Sequence, residues 1–523
     1  MSKLMKRGLI AAAIVVAVGT TSVFIAASVL AKRFDPYIRQ EAITYLSKRF
    51  ESDVEIGKLS IAVPHVPLMH MFWTRGKGVI AKVTGENIVL RHRGRRDVPP
   101  MFSMGRFEFE ADLGEVFAPV KHISLVRLER MDLIIPPKGD RPTLTTSSSS
   151  ASNGVKVVID RIILTDSRLV ILPKDTTRKP LDFDLHRVVL DSVGGGQPFK
   201  YRATLTNAVP PGMIDANGQF GPWNASSPGD TLLNGAYLFQ NADLGVFSAI
   251  QGILTSQGSF EGTLDAVKAR GEADVPDFRL RGVGNPVFLH TQFAALVDGT
   301  NGNTVLEPVH VRLGTTSFVT SGAILKREGN HPHSIDLDVT MQDGEMLDLL
   351  RLATKAKPFL SGRLQMVAKI RIPPLNGTIQ NKLILDGRFH IRRGQFLDTS
   401  VQSNIDMLSR RGQGQPKNES IDNVFSDMAG SFHMENQNIR LRELTFEVPG
   451  SRVSLAGQYN VAKDSLDFQG SLSLEAHVSE TMTGWKHWLL KAADPFFARN
   501  GAGTYLKIKV TGTSQDPHFG ASW

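Results

Sequence analysis

Behind Val54 the chain settles into a two-residue alternation of apolar and polar positions. Phe107 and Phe109 are separated by Glu108, and Leu181, Phe183 and Leu185 by Asp182 and Asp184. The same rhythm sets Ile335, Leu337 and Val339 around Asp336 and Asp338. It runs on through Leu383, Leu385, Phe389 and Ile391, through Leu466, Phe468, Leu472 and Leu474, and through Leu506, Ile508 and Val510. Successive side chains on a strand point to opposite faces, so each segment carries one apolar and one polar face. That pattern predicts antiparallel sheet with one wetted side, not parallel strands buried under helices. Leu128, Leu133, Ile135, Leu164, Leu169, Ile171, Leu441 and Leu455 extend the apolar set. These residues are the candidates to line whatever the sheet encloses.

Helical signals are few. Gly8 to Leu30 is an apolar run broken only by Thr20, Thr21 and Ser22. At 1.5 Å per residue it is long enough to cross a hydrocarbon core of about 30 Å. Lys3, Lys6 and Arg7 precede it with no acidic residue among them, which places the N-terminus in the cytoplasm. Val29-Leu30-Ala31 would serve as a cleavage site, but the run exceeds the ordinary signal core of roughly 7–15 residues. Asp35-Pro36 then opens a short amphipathic helix through Ile38, Ala42, Tyr45, Leu46 and Phe50. Within the body, the stretches from Asp243 to Leu254, Glu345 to Thr354 and Thr481 to Ala493 have helical spacing. The last sets Trp485 and Trp488 on one side and leads into Phe496 and Phe497, residues suited to a membrane interface and candidates for a membrane-facing exit. A helix that merely caps the last strands would read the same way.

Degenerate repeats accompany the strands. Val126, Leu128, Leu133 and Ile135 line up with Ile162, Leu164, Leu169 and Ile171. A strand that passes through glycine recurs at Gly218, Gly322 and Gly457. Repeated short strands suggest an elongated sheet stacked unit on unit. The expected organisation is a cytoplasmic tip and anchor over 1–33, a first helix and β segment over 34–142, a Ser/Thr-rich loop over 143–154, central β-repeats over 155–380, and a C-terminal β region over 381–523 containing the helix 481–493.

Composition narrows the chemistry. Among 523 residues, 60 Lys+Arg against 51 Asp+Glu give a formal +9, with no long basic run, which speaks against a nucleic-acid surface and suits anionic lipid headgroups. There is no cysteine, so disulfides, thiolate metal sites and a cysteine nucleophile are excluded. The phosphate-loop, metalloprotease and nucleophile-elbow patterns are all missing. The 14 histidines are scattered, and neither an enzyme nor a cofactor is expected.

Tyr45-Leu46, Arg49-Phe50-Glu51, Val54, Ile56-Gly57 and Leu59, directly after a membrane anchor, resemble the start of the AsmA-like family, whose longer members are the TamB and YhdP types. Val448-Pro449-Gly450 through Tyr459, and Val510 through Gly512, Asp516-Pro517 and Phe519, are similar to its C-terminal region. Phe260 to Leu264 and Gly271 to Phe278 add to the likeness. The resemblance implies a single-pass protein of the bacterial inner membrane whose periplasmic bulk is a long, curled antiparallel β-groove with an apolar interior. It further implies a role in outer-membrane biogenesis, with phospholipid and its acyl chains as cargo and a periplasmic or outer-membrane protein as a possible partner. Alternation alone does not separate a groove from a closed sandwich. A non-conducting scaffold or assembly factor for outer-membrane proteins stays open beside the conduit.

Overall fold

A computed structural model describes positions 40, 43, 44 and 47, then 52–62, 77–92, 100–112, 114, 120–135, 156–173, 179–477 and 503–521, apart from short loop segments in the last two stretches. The anchor over 8–30 with Lys3, Lys6 and Arg7, the loop 143–154, the helix 481–493 with Trp485 and Trp488, and Phe496 and Phe497 lie outside the described residues. No helix among the described residues is long and apolar enough to cross a membrane.

The fold is mainly β. It divides into two compact units whose boundary falls in the chain between 243 and 302. No shift in composition marks that boundary. The first unit begins with β1 (Ser52–Ala62), β2 (Ile80–His92), β3 (Phe102–Asp112), β4 (Val120–Ile135), β5 (Lys156–Ile171), β6 (Leu181–Gly194), β7 (Phe199–Ala208), β8 (Pro211–Phe220) and β9 (Leu232–Asp243). The chain then alternates between the units through β10 (Ile250–Gln251), β11 (Ile253–Thr263), β12 (Ala266–Leu280) and β13 (Val287–Val297).

Within β1–β9 neighbouring strands pair in sequence order, and all pairs but one are antiparallel. The exception corrects the all-antiparallel expectation: β4 and β5 run parallel. A parallel pair needs a crossover of a dozen or more residues, which the stretch 136–155 supplies. The internal repeat now has a spatial meaning. Val126 pairs with Ile162, Leu128 with Leu164, Leu133 with Leu169 and Ile135 with Ile171. Arg130 and Asp166, equivalent in the repeat, both take left-handed backbone at φ 50° and 49°. The extra residue at each point resets the alternation, so the apolar side chains before and after it share one face. Ser167 seals the pair of irregularities, its buried Oγ accepting from Met131 N at 3.0 Å.

The apolar face of β1–β5 is a packed core. Val83, Leu90, Phe102, Phe107 and Phe109 are almost fully enclosed, and the Phe107 and Phe109 rings stack 6.2 Å apart. Gly85 stands opposite Phe107 in the register, and any side chain there would strike that ring. Gln40, Ile43, Thr44 and Ser47 are helical, as the Asp35–Phe50 pattern predicts, and Ile43 packs against this core.

The second unit contains β14 (Thr304–Leu313), β15 (Thr316–Lys326), β16 (His333–Glu345), β17 (Leu360–Ile372), β18 (Ile384–Phe396), β19 (Ser426–Glu435), β20 (Asn438–Val448), β21 (Ser451–Asn460), β22 (Ser465–Leu474), β23 (Thr504–Gly512) and β24 (Pro517–Ala521). Each pairs antiparallel with the next. Helix α1 (Met346–Ala353) falls where Glu345–Thr354 was expected. It is tied down by Asp348, which accepts hydrogen bonds from Thr315 N and Oγ1 at 2.8 Å and from Thr316 Oγ1 at 3.0 Å. The helix expected over Asp243–Leu254 is instead a 3-10 turn (Leu244–Val246), then β10 and the start of β11, broken by Gly252 at φ 139°. A second helix, α2 (Thr399–Gly412), occupies sequence that carries no strand alternation. Asp398 caps it, and the buried Asp406 accepts from Asn423 N and Val424 N, both at 3.0 Å.

On the polar face of the first unit, Glu108 is buried beneath three cations. Its carboxylate meets Lys82 at 2.6 Å, Arg127 at 2.7 Å and Arg106 at 3.3 Å. Burial works to raise its pKa, but the hydrogen bonds and charges of Lys82 and Arg127 outweigh burial and hold it below the ordinary carboxylate value. A carboxyl depressed in the folded state stabilises the fold above its unfolded pKa, and that stabilisation is lost as pH falls through the folded value. Glu108→Gln is therefore expected to cost about 2 kcal/mol in urea unfolding at pH 7. The difference from the parent chain should shrink as the pH is taken down through and below the ordinary carboxylate range. A pH-independent difference would mean that the pair contributes through packing alone.

Candidate functional site

The register of the second unit assembles the alternating residues into rows that cross the strands. One row runs Gly322, Leu337, Ile370, Leu385, Met434, Ile439, Tyr459, Leu466 and Gly512, each opposite the next from β15 to β23. Every member is partly exposed. A second row runs Val339, Ala368, Gly387, Phe432, Leu441, Gly457, Phe468 and Val510. A third runs Met366, Phe389, Gly430, Leu444, Leu455, Gly470 and Ile508, and a fourth Leu364, Ile391, Met428, Phe446, Val453, Leu472 and Leu506. At about 4.8 Å between strands, the first row extends on the order of 40 Å.

The opposite face is polar along its length. Ser321, Asp338, Lys369, Asp386, His433, Arg440, Gln458, Asp467 and Thr511 form its central row. Lys369 reaches Asp338 at 3.6 Å, and Asp386 lies 2.6 Å from His433 and 2.9 Å from Arg371. The His433 hydrogen bond, with that of Arg371, holds the Asp386 carboxyl below its ordinary value. Asp336 and Asp338, a carboxylate pair in the sequence, are thus neighbours on a solvated face. No group of three or more histidines and carboxylates is placed to hold a metal among the described residues.

The candidates divide into two populations. Phe107, Phe109, Leu128, Leu133, Ile135 and Leu164 belong to the packed core of the first unit, with Leu169 and Ile171 at its margin. Along the row Phe107, Leu128, Leu164, Val188, Ala203 and Ala216, the face opens: the first three are buried and the last three partly exposed. In the second unit Ile335, Leu337, Leu385, Phe389, Leu441, Leu455, Leu466, Leu472, Leu506 and Ile508 are partly exposed, whereas Val339, Ile391, Phe468, Leu474 and Val510 are buried. Leu383 lies just before β18.

Alternation did not disclose the residues that set the depth of this face. Phe432 lies opposite Gly387, and Phe389 opposite Gly430, on the same two strands. A Cβ on Gly387 would come within 2.6 Å of the Phe432 ring, and one on Gly430 within 3.0 Å of the Phe389 ring. Each ring lies down over a glycine, and the two rings meet at 6.3 Å. The aromatic surface therefore lies flat instead of standing up from the sheet. The signal was legible as glycine at an apolar-phase position in a strand, read together with an aromatic on the adjoining strand.

No family model, no curated protein and no solved structure matches the chain.

The two populations should respond differently to substitution. Phe107→Ala is expected to cost about 3–5 kcal/mol, the range for emptying a sealed aromatic site. Leu385→Ala, on a partly exposed row, should cost about 1 kcal/mol. Urea midpoints of the two variants measure the contrast, and equal losses would mean that both faces are sealed.

Proposed function

We propose that the chain is a membrane-anchored protein of the bacterial envelope that carries phospholipid by its acyl chains across the apolar rows. The observation that carries this reading is the row from Gly322 to Gly512, apolar and partly exposed across nine strands while the reverse face is charged. Exposed apolar surface costs about 25 cal/mol per Å², and each methylene moved from water onto such a surface returns up to about 0.8 kcal/mol. An acyl chain laid along the rows satisfies both terms without disturbing the polar face. The rows run across strands at constant character, so a chain meets no charged step in moving from one strand to the next. The apolar N-terminal run and the resemblance to AsmA-like proteins support a single-pass inner-membrane location, a periplasmic bulk and a role in outer-membrane biogenesis.

The test is site-specific photocrosslinking in cells with the full chain. A photoreactive residue at Leu385 or Met434 should give lipid adducts by mass spectrometry, and one at Lys369, on the reverse face, should give none. Leu385→Asp should lower co-purifying phospholipid severalfold while the protein stays folded. Protein adducts in place of lipid at Leu385 would overturn the conduit and favour a scaffold for outer-membrane proteins.

A further inference from the structure

The polar face of the first unit holds a basic concavity whose character differs from the charge-balanced face of the second. Three register rows build it. Arg161, Asp191, Lys200 and Gln219 form one. Ile163, Val189, Arg202 and Asn217 form the next, and Thr165, Arg187, Thr204 and Asp215 the third. The walls enclose about 950 Å³. Its floor is apolar: Ile163 stands opposite Val189, which is only 6% exposed although it sits on the outer face. Around that floor stand four cations from three adjacent strands.

Their carboxylate partners do not balance them. Asp191 is shared, at 2.7 Å from Arg161 Nε and 3.5 Å from Arg202. Asp215 accepts a hydrogen bond from the Thr204 hydroxyl at 2.6 Å. Arg187 and Lys200 have no ion pair among the described residues. Like charges gathered on adjacent strands repel one another, and a bound anion would relieve that repulsion. Two arginines and a lysine around amide donors match a phosphoryl group, whose oxygens accept several charge-assisted hydrogen bonds at once.

We propose that this concavity binds a phosphoryl anion, held by Arg187, Lys200 and Arg202 above the Ile163–Val189 floor. The site is on the face of the first unit opposite its own row from Phe107 to Ala216 and stands independently of lipid conduction. The chemistry fits free phosphate and the phosphodiester of a lipid headgroup alike.

Calorimetric titration of the detergent-solubilised full chain distinguishes them, using inorganic phosphate and monomeric dihexanoyl phosphatidylglycerol at fixed ionic strength set with chloride. Saturable binding is expected for at least one titrant. Arg187→Gln combined with Lys200→Gln should weaken it by about tenfold or more with an unchanged melting temperature, since both side chains are exposed. Loss of phosphate binding in the double variant supports a free-phosphate site; binding of the lipid alone, lost in the same variant, supports a headgroup site. The proposal is overturned if neither titrant saturates, or if the double variant binds both as the parent does.

Discussion

Strand register is the constraint on which the two faces depend. Side chains alternate with a period of two, so a slip of one residue in any pairing would carry Leu385 to the charged side and Asp386 to the apolar side. Most pairings of the second unit contain a register shift, for example between Met341 and Gly344, Ile391 and Gly394, and Leu441 and Leu444. Such irregularities bend the strand and strengthen its twist, and they fix the pairing because the extra residue has one position at which it fits. Asp348 and Asp406 act on the same problem from the connections. Each ties a helix to backbone or hydroxyl groups at a strand start, and so limits sliding of the adjoining strands.

The alternating face was readable directly, because Leu466 to Leu474 and Ile335 to Val339 obey a local rule that needs no partner. The antiparallel direction followed from it, but which strands lie side by side, and which one pair breaks that direction, did not. The likeness between Val126–Ile135 and Ile162–Ile171 announced a repeat, yet nothing local to either segment said that the two copies would pair in parallel with matching left-handed residues. Helix α1 was visible in its spacing. Helix α2 was missed because polar residues dominate it, and its stabilising contacts come from Asn423 and Val424, far along the chain. Burial was the least legible property. Phe107 and Leu385 occupy equivalent phases of equivalent patterns, but one is sealed and the other half open, and that difference is set by packing beyond the strand.

The apolar face is graded, not uniform. Large aromatics and β-branched residues seal it over β1–β5, and smaller residues such as Ala203 and Ala216 continue the same row where it opens. In the second unit the reciprocal Gly387–Phe432 and Gly430–Phe389 pairs keep the exposed face shallow. Charge is graded too. The reverse face alternates sign through Asp338, Lys369 and Asp386, while the first unit places Arg161, Arg187, Lys200 and Arg202 together. One strand architecture thus supports a surface for apolar contact and, separately, a surface with excess positive charge.

The parallel pairing of β4 with β5 has a kinetic consequence. The hairpin-connected pairs, such as β19–β20 across Asn436 and Gln437, close over very short loops and can form as local events. The β4–β5 pair must bring together strands that run the same way, across twenty intervening residues, before its first hydrogen bond forms. Strand addition on either side can proceed by zippering, but this junction has to be nucleated. It is where the refolding of the first unit would be slowest, and where an exposed β4 or β5 edge would wait longest for its partner.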